Sequence, residues 1–366
     1  MNSGALLGNA VPPLMITILA WVAPSLAGPT LPFGVRIPAA RADAPVIAEQ
    51  RGRYRWRVGA VGAGLIVVGT VLAATTPLTW SGALPALVLA VCLAAFARAR
   101  AAIAAVKRDE EWYRGLRQGV VTDTSLRTEP ERFPWFWSLP ALLVIAGTAV
   151  TGVLVYPSVP ERLAVHFNTS GYADQYATKS IGSVFSLVFA QVGVSALLVV
   201  VSWFSFRARP ELDPARPADS ARRHRRFSVR AVISVLLLAA CADLSMGVGA
   251  WSMWRVGRLS PALVLLPLLL GLAIVVGIAI RTGQAGSRLP AAAGDGAAEP
   301  DTGVVQREDD RYWRGAGSLY VNRADPSLLV QKRSGFGWTF NFGNPRALLL
   351  CALLVGVPLV LPLIAH

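Results

Sequence analysis

Residues 156–182 read YPSVPERLAVHFNTSGYADQYATKSIG, and no other stretch of the chain gathers so much side-chain chemistry. His166, Phe167, Asn168, Gly171, Asp174, Tyr176 and Lys179 offer an imidazole, an amide, a carboxylate, a phenol, an ammonium and an apolar ring within fourteen positions. Three kinds of chemistry need weighing. A zinc site takes three or four ligands from Cys, His or carboxylate; here only Glu161, His166 and Asp174 qualify, so we expect no metal and no cofactor. Ser170 or Ser180 with His166 and Asp174 has the residue types of a nucleophilic triad, but no GxSxG turn accompanies them, and we expect no enzyme. Recognition suits the composition better. Phe167, Tyr172 and Tyr176 supply amphipathic area, while His166, Asp174 and Lys179 supply polar specificity. Pro157 and Pro160 would stiffen the entry to this stretch, and Gly171 would permit a positive φ in a turn at Asn168–Gly171. Asp174 is placed to pair with Lys179, and His166 to donate to a nearby carbonyl. Asn168-Thr169-Ser170 also matches a glycosylation acceptor, and the match is read as accidental.

A second pair of polar residues lies inside apolar sequence. Asp243 is the one charged residue within any expected membrane span, where a carboxylate costs about 2.5–3.5 kcal/mol on insertion scales. Asp243 lies about 18 Å into its span and Gln191 about 12 Å into the preceding one, at ~1.5 Å per residue. The two spans run antiparallel, so these side chains reach similar depths. Ala239, Asp243 and Gly247 share one helix face narrow enough for a close neighbour. We expect Asp243 to face the bundle interior, protonated, and bonded to Gln191 or to a Ser or Thr.

Membrane helices must hold both features. The chain has 366 residues, 54% hydrophobic and 15% charged, with a mean hydropathy of +0.50. Soluble domains carry about 25% charged residues. Eight apolar runs, at about 6–27, 58–75, 80–97, 137–155, 183–206, 231–253, 260–280 and 347–365, are candidate spans. The expected fold class is an all-α polytopic membrane protein with eight transmembrane helices, a small extracytoplasmic loop domain and a small β-rich cytoplasmic module.

The net charge of +14 follows the membrane rather than nucleic acid. With the amino terminus outside and sides alternating, 31 of the 35 Lys and Arg fall in the inner segments 28–57, 98–136, 207–230 and 281–346. Only Arg162, Lys179, Arg255 and Arg258 fall outside. That bias is the positive-inside rule, and it places both termini outside a cell membrane, with the basic residues meeting anionic membrane lipid. The run Arg222-Arg223-His224-Arg225-Arg226 is read the same way, with no nucleic-acid partner. Residues 1–27 lack the basic start of a signal peptide and are read as an uncleaved helix. Cys92, Cys241 and Cys351 all lie within expected spans and form no disulfide or CxxC pattern.

The expected organisation is a three-helix membrane region over 1–136, a helix–loop–helix over 137–206 with its outer loop at 156–182, and two further helices over 207–280. Residues 207–230 are Pro- and Arg-rich and read as flexible, and 281–308 read as a disordered linker. A β-rich module follows over 309–346, then a last span over 347–366. Within the module Phe336, Trp338, Phe340 and Phe342 alternate with small or polar residues, and Ser318–Val321 and Leu328–Gln331 flank a turn-forming Asn322–Pro326.

The Pro-x-x-Pro, His166-Phe167-Asn168, Gly171, Asp174, Tyr176 and Lys179 pattern resembles the extracytoplasmic loop of SdpI-type bacterial membrane proteins over about residues 137–206. That family includes an immunity factor against a secreted killing peptide. The segments Asp310-Arg311-Tyr312-Trp313-Arg314-Gly315 and Gly337–Pro345 resemble an uncharacterised domain joined to that loop in actinobacterial relatives. The resemblance implies immunity to, or sensing of, an extracellular antimicrobial peptide, with a cytoplasmic repressor or other soluble protein as a further partner. Asp243 supports a different expectation, a proton-coupled transporter or exporter. An uncharacterised structural membrane protein is the third.

Overall fold

A computed structural model describes residues 3–75, 83–167, 172–255, 260–290, 299–334 and 337–353. In chain order the helices are α1 Ser3–Leu26, α2 Pro45–Thr75, α3 Ala83–Asp109, the single turn α4 Ser125–Thr128, α5 Leu139–Val155, the single turn α6 Ile181–Val184, α7 Ser186–Phe206, α8 Pro217–Trp254 and α9 Pro261–Thr282. Proline opens the α8 and α9 helices, where its missing N–H costs no intrahelical bond.

Five stretches among the described residues are long and apolar enough to cross a membrane: Ala83–Asp109, Trp135–Ser158, Ser186–Phe206, Pro217–Trp254 and Pro261–Gly286. The protein is therefore a multi-pass integral membrane protein. The expected first span lies in α1, whose described apolar part, Ala10–Leu26, is shorter than the other five. The expected second span lies in α2, a 31-residue helix whose first half carries Arg51, Arg53, Arg55 and Arg57. The expected last span lies largely outside the described residues, beyond Leu353. Of the 38 residues in α8, Pro217–Arg230 holds six basic side chains, so its hydrocarbon-compatible part begins at Ala231. Leu142, Leu143, Leu154, Leu263 and Leu266 are exposed, as lipid-facing positions should be.

The helices form two groups. The α1, α2 and α3 helices pack together, with Phe33, Tyr54 and Phe96 in mutual edge-to-face contact, ring centroids 5.1–6.0 Å apart. The α5, α7 and α9 helices pack around α8, and α1 touches α9 to join the groups.

The basic ends of the helices carry a layer built from four chain segments. Its strands are β1 Gln118–Gly119, parallel to β4 Val305–Gln306; β5 Trp313–Arg314, antiparallel to β6 Leu319–Tyr320; and β7 Leu329–Gln331, antiparallel to β8 Trp338–Phe340. Tyr320 bridges to Asn341, linking the last two pairs. The sequence expected a β-rich module here, and small sheets form at those positions. They do not stand alone. Arg333, with no exposed side-chain surface, bonds both Asp309 and Asp310. Arg36 reaches Asp309 at 3.0 Å and also Glu211, and Lys107 reaches Asp310 at 2.7 Å and Glu308 at 2.6 Å. Cations from the loop after α1 and the end of α3 thus share carboxylates with a cation between β7 and β8.

Two segments read as flexible differ from that reading. Residues 207–230 carry the first turns of α8, where Arg225 bonds the Glu129 carbonyl and the Ser125 hydroxyl. Residues 281–308, read as a disordered linker, are described at 281–290 and 299–308, and both parts are bonded. Gln284 bonds the Lys332 and Gly337 carbonyls and the Gly337 amide. Glu299 accepts from the amides of Ala218 and Asp219, capping the N-terminus of α8 with negative charge where orphan donors and the helix dipole favour it. Composition pointed to disorder because it counts few apolar residues and cannot count distant polar partners. Gly286 takes φ +79°, and a Cβ there would sit 2.7 Å from the Arg223 carbonyl, so this crossing of α8 requires glycine.

Candidate functional site

The polar stretch between α5 and α6 carries an antiparallel pair of strands, β2 Arg162–Phe167 and β3 Ala173–Thr178, which form a hairpin. The pairing slips on both sides of His166, where Val165 is passed over. Such irregularities re-aim a side chain, and here they accompany an exposed His166 directed along the strand face that carries Asp174. His166 Nδ1 lies 2.5 Å from Asp174 Oδ1. Both side chains are open to solvent, 57% and 43% exposed, so the pair adds about 0–1 kcal/mol to stability at most. Tyr176 is exposed and takes the Arg162 guanidinium over its ring, 5.5 Å from the centroid; Tyr172 is exposed as well.

Three sequence expectations change. Asp174 pairs with His166 rather than with Lys179, because cross-strand register brings the imidazole to it. Lys179 instead donates to the Val159 carbonyl at 2.9 Å and sits 5.0 Å over the Tyr156 ring, tying the hairpin exit to its entry. Phe167 packs against the buried cluster below the strands rather than belonging to the open face. Asn168 and Gly171 lie outside the described residues. Tyr156–Ser158 forms a 3₁₀ turn that includes Pro157, and Pro160 follows it.

Beneath the strands is a rigid footing. Val159, Leu163, Val184, Ala250, Met253 and Trp254 form a buried cluster. Full burial of Leu163 alone contributes about 1.5–3 kcal/mol. The Trp254 indole N–H donates to the Val184 carbonyl at 2.9 Å. Gly152 on α5 allows that ring to approach, since a Cβ there would meet Phe185 and Trp254 at 2.8 and 3.0 Å. Ser180 and Ser183 form a reciprocal capping box at α6, so their hydroxyls serve the helix start rather than His166. Of these residues the sequence marks only Ser180, and for a different role; Trp254, at the end of an apolar run and before Arg255, has the position of an interfacial anchor.

The second polar group lies in the bundle. Asp243 and Gln191 are both fully buried. The Ser195 hydroxyl donates to Asp243 Oδ2 at 2.7 Å, and Gln191 Nε2 donates to the Asp243 backbone carbonyl at 2.7 Å and to Thr148 Oγ1 at 3.2 Å. Asp243 thus faces the interior and bonds a serine, while Gln191 holds its main chain rather than its carboxyl. Gly247 brings α8 close: a Cβ there would lie 3.1 Å from Thr148 Oγ1. Ser195 was legible as a partner, one helical turn from Gln191 on the same face; Thr148 is on another helix and was not.

A third site, absent from the sequence reading, joins α8 to the layer. His224 Nδ1 lies 3.1 Å from Gln331 Nε2 on β7, and its Nε2 lies 3.1 Å from the Ser228 hydroxyl, which donates to the His224 carbonyl. The bonds close consistently around a neutral ring: Gln331 donates to Nδ1, and Nε2–H donates to Ser228. Burial, with nearby Arg225 adding to it, lowers the His224 pKa to about 4.

Among the described residues no group of three or more His, Cys, Asp or Glu could hold a metal ion. Residues 142–192, which span most of α5, the hairpin and the start of α7, match a domain of unknown function, DUF1648. DUF1648 occurs in SdpI-like membrane proteins. Residues 323–348, which include β7, β8 and the start of the helix after them, match a family of unknown function, DUF5808. Neither the curated proteins nor the solved structures give a match to this chain.

Proposed function

We propose that this protein lies in a bacterial cell membrane with both termini and the hairpin outside, and that it confers immunity to, or senses, an extracellular antimicrobial peptide. The observation that carries the reading is the exposed hairpin face on a rigid footing. His166 and Asp174 form a polar pair that adds little to stability, beside the exposed aromatic rings of Tyr172 and Tyr176. A binding surface that is held before its ligand arrives avoids the cost of ordering on association. The DUF1648 match over this region, and its occurrence in SdpI-like proteins, supports the same reading by analogy. The sidedness rests on the distribution of Lys and Arg. On the inner side, the layer of small sheets offers a surface for a soluble partner such as a repressor. The reading is one of binding, not catalysis.

The double variant His166→Ala, Asp174→Ala tests it. Because the pair is exposed, the variant should reach the membrane at wild-type abundance. It should nevertheless sensitise the host to a secreted peptide as fully as deletion of the whole gene does. Full protection by the double variant would defeat the role given to the hairpin.

A further inference from the structure

Within the cluster formed by Asp243, Gln191, Ser195 and Thr148, two buried side-chain oxygens lack a donor: Asp243 Oδ1 and Gln191 Oε1. The amide orientation of Gln191 is fixed by its partner. The group facing the Asp243 carbonyl at 2.7 Å must be the NH₂, so the oxygen is the atom left over. Thr148 cannot serve it, because its hydroxyl already donates to the Val144 carbonyl at 2.8 Å and accepts from Gln191. Ser195 spends its proton on the other carboxyl oxygen. No Lys, Arg or His falls within the apolar part of α8, α5 or α7 to balance a carboxylate.

An unmatched buried acceptor costs about 1–3 kcal/mol, and more when charged. Two of them in one cluster, with an unbalanced carboxyl, call for one positive species. We propose that Asp243 and Gln191, with the Ser195 hydroxyl, form a binding site for a single small monovalent cation, H⁺ or Na⁺. A proton on Oδ1 converts an unmatched acceptor into a donor and removes the unbalanced charge. A sodium ion satisfies both oxygens as a hard cation with oxygen ligands, and the carboxylate supplies its charge. Loading and release exchange the cation with water and alter no covalent bond except, for H⁺, the O–H bond at Oδ1. The site does not depend on the reading of the hairpin, and it is the minimum that ion coupling through this bundle would need.

The test uses the full chain in lipid nanodiscs. The thermal midpoint is followed as sodium replaces choline at constant ionic strength, and separately between about pH 5 and about pH 9. A sodium site raises the midpoint by a few degrees as sodium increases. A proton site shows no sodium effect and lowers the midpoint as pH rises. In Asp243→Asn the added NH₂ donates where the cation would, so the variant should fold and lose whichever dependence the wild type has. Infrared difference spectra of the wild type give a second reading that needs no variant. The carbonyl band of a protonated carboxyl should vanish on adding sodium or on raising the pH. Indifference of both midpoint and band to sodium and pH overturns the proposal, as does a dependence that survives unchanged in Asp243→Asn.

Discussion

Replacing Arg333 with Met should loosen the sheet layer from the helices without unfolding the bundle. Arg333 has no exposed side-chain surface, bonds Asp309 and Asp310, and lies 5.0 Å over the Trp313 ring. Removing one partner of a buried ion pair costs about 3–5 kcal/mol, because the other partner is stranded. Here the stranding is incomplete. Asp309 keeps Arg36 at 3.0 Å, Asp310 keeps Lys107 at 2.7 Å, and both carboxylates are about one-fifth exposed. Met also refills most of the volume left by the arginine stem. The low end, about 3 kcal/mol, is therefore expected, which is on the order of a 100-fold rise in local opening. Amide exchange reads it directly. The Asn341 amide bonded to the Leu328 carbonyl, and Phe342 bonded to Tyr320, should lose about two decades of protection, on the order of the same 100-fold. Amides within α9 should keep theirs. Arg333→Lys retains the charge but not the two-pronged geometry, and should fall between. Unchanged protection in the Met variant would refute the view that this arginine holds the layer, and a lysine variant indistinguishable from wild type would refute the forked contact.

Two further outcomes follow from buried hydrogen bonds. The neutral His224 imidazole has its pKa lowered from 6.5 to about 4 by burial and Arg225. Its contribution is therefore present in full above about pH 6.5 and is lost as pH falls from about 6.5 toward about 4, as the unfolded chain takes up a proton that the folded site refuses. Exchange at the Gln331 strand should accelerate over that window, and His224→Leu should flatten the dependence. Trp254→Phe removes the donor to the buried Val184 carbonyl and should destabilise the hairpin footing by about 1–3 kcal/mol. Protease nicking between residues 156 and 182 should then quicken, and an unchanged rate would show that the footing does not rely on that bond.

What the sequence revealed was whatever depends on near neighbours. The apolar runs at 137–155, 183–206, 231–253 and 260–280 became α5, α7, α8 and α9, because a lipid-spanning helix is specified by its own composition. The alternation around Trp338 became a strand for a similarly local reason. The inward turn of Asp243 followed from the cost of facing lipid with a carboxyl. The partners of the charges were hidden. Arg36 meets Asp309 across 273 positions and His224 meets Gln331 across 107, and nothing local marks either. Basic residues at a membrane edge were read as facing lipid headgroups, yet Arg36, Lys107 and Arg333 lie buried against carboxylates. At the hairpin, the residue types were legible but the register was not, so Asp174 was assigned the wrong partner.

The longest helix has a mechanical consequence. At 38 residues, α8 is a rod of about 57 Å at ~1.5 Å per residue. One end is pinned under the hairpin by the Trp254 indole, and the other is gripped by the sheet layer through His224 and Glu299. Tilting such a rod as a unit by about 5° about one end swings the other by about 5 Å. Hydrogen bonds near 3 Å do not stretch so far. A push on one face of the protein is therefore delivered to the opposite face as a displacement, and there it must be followed or broken.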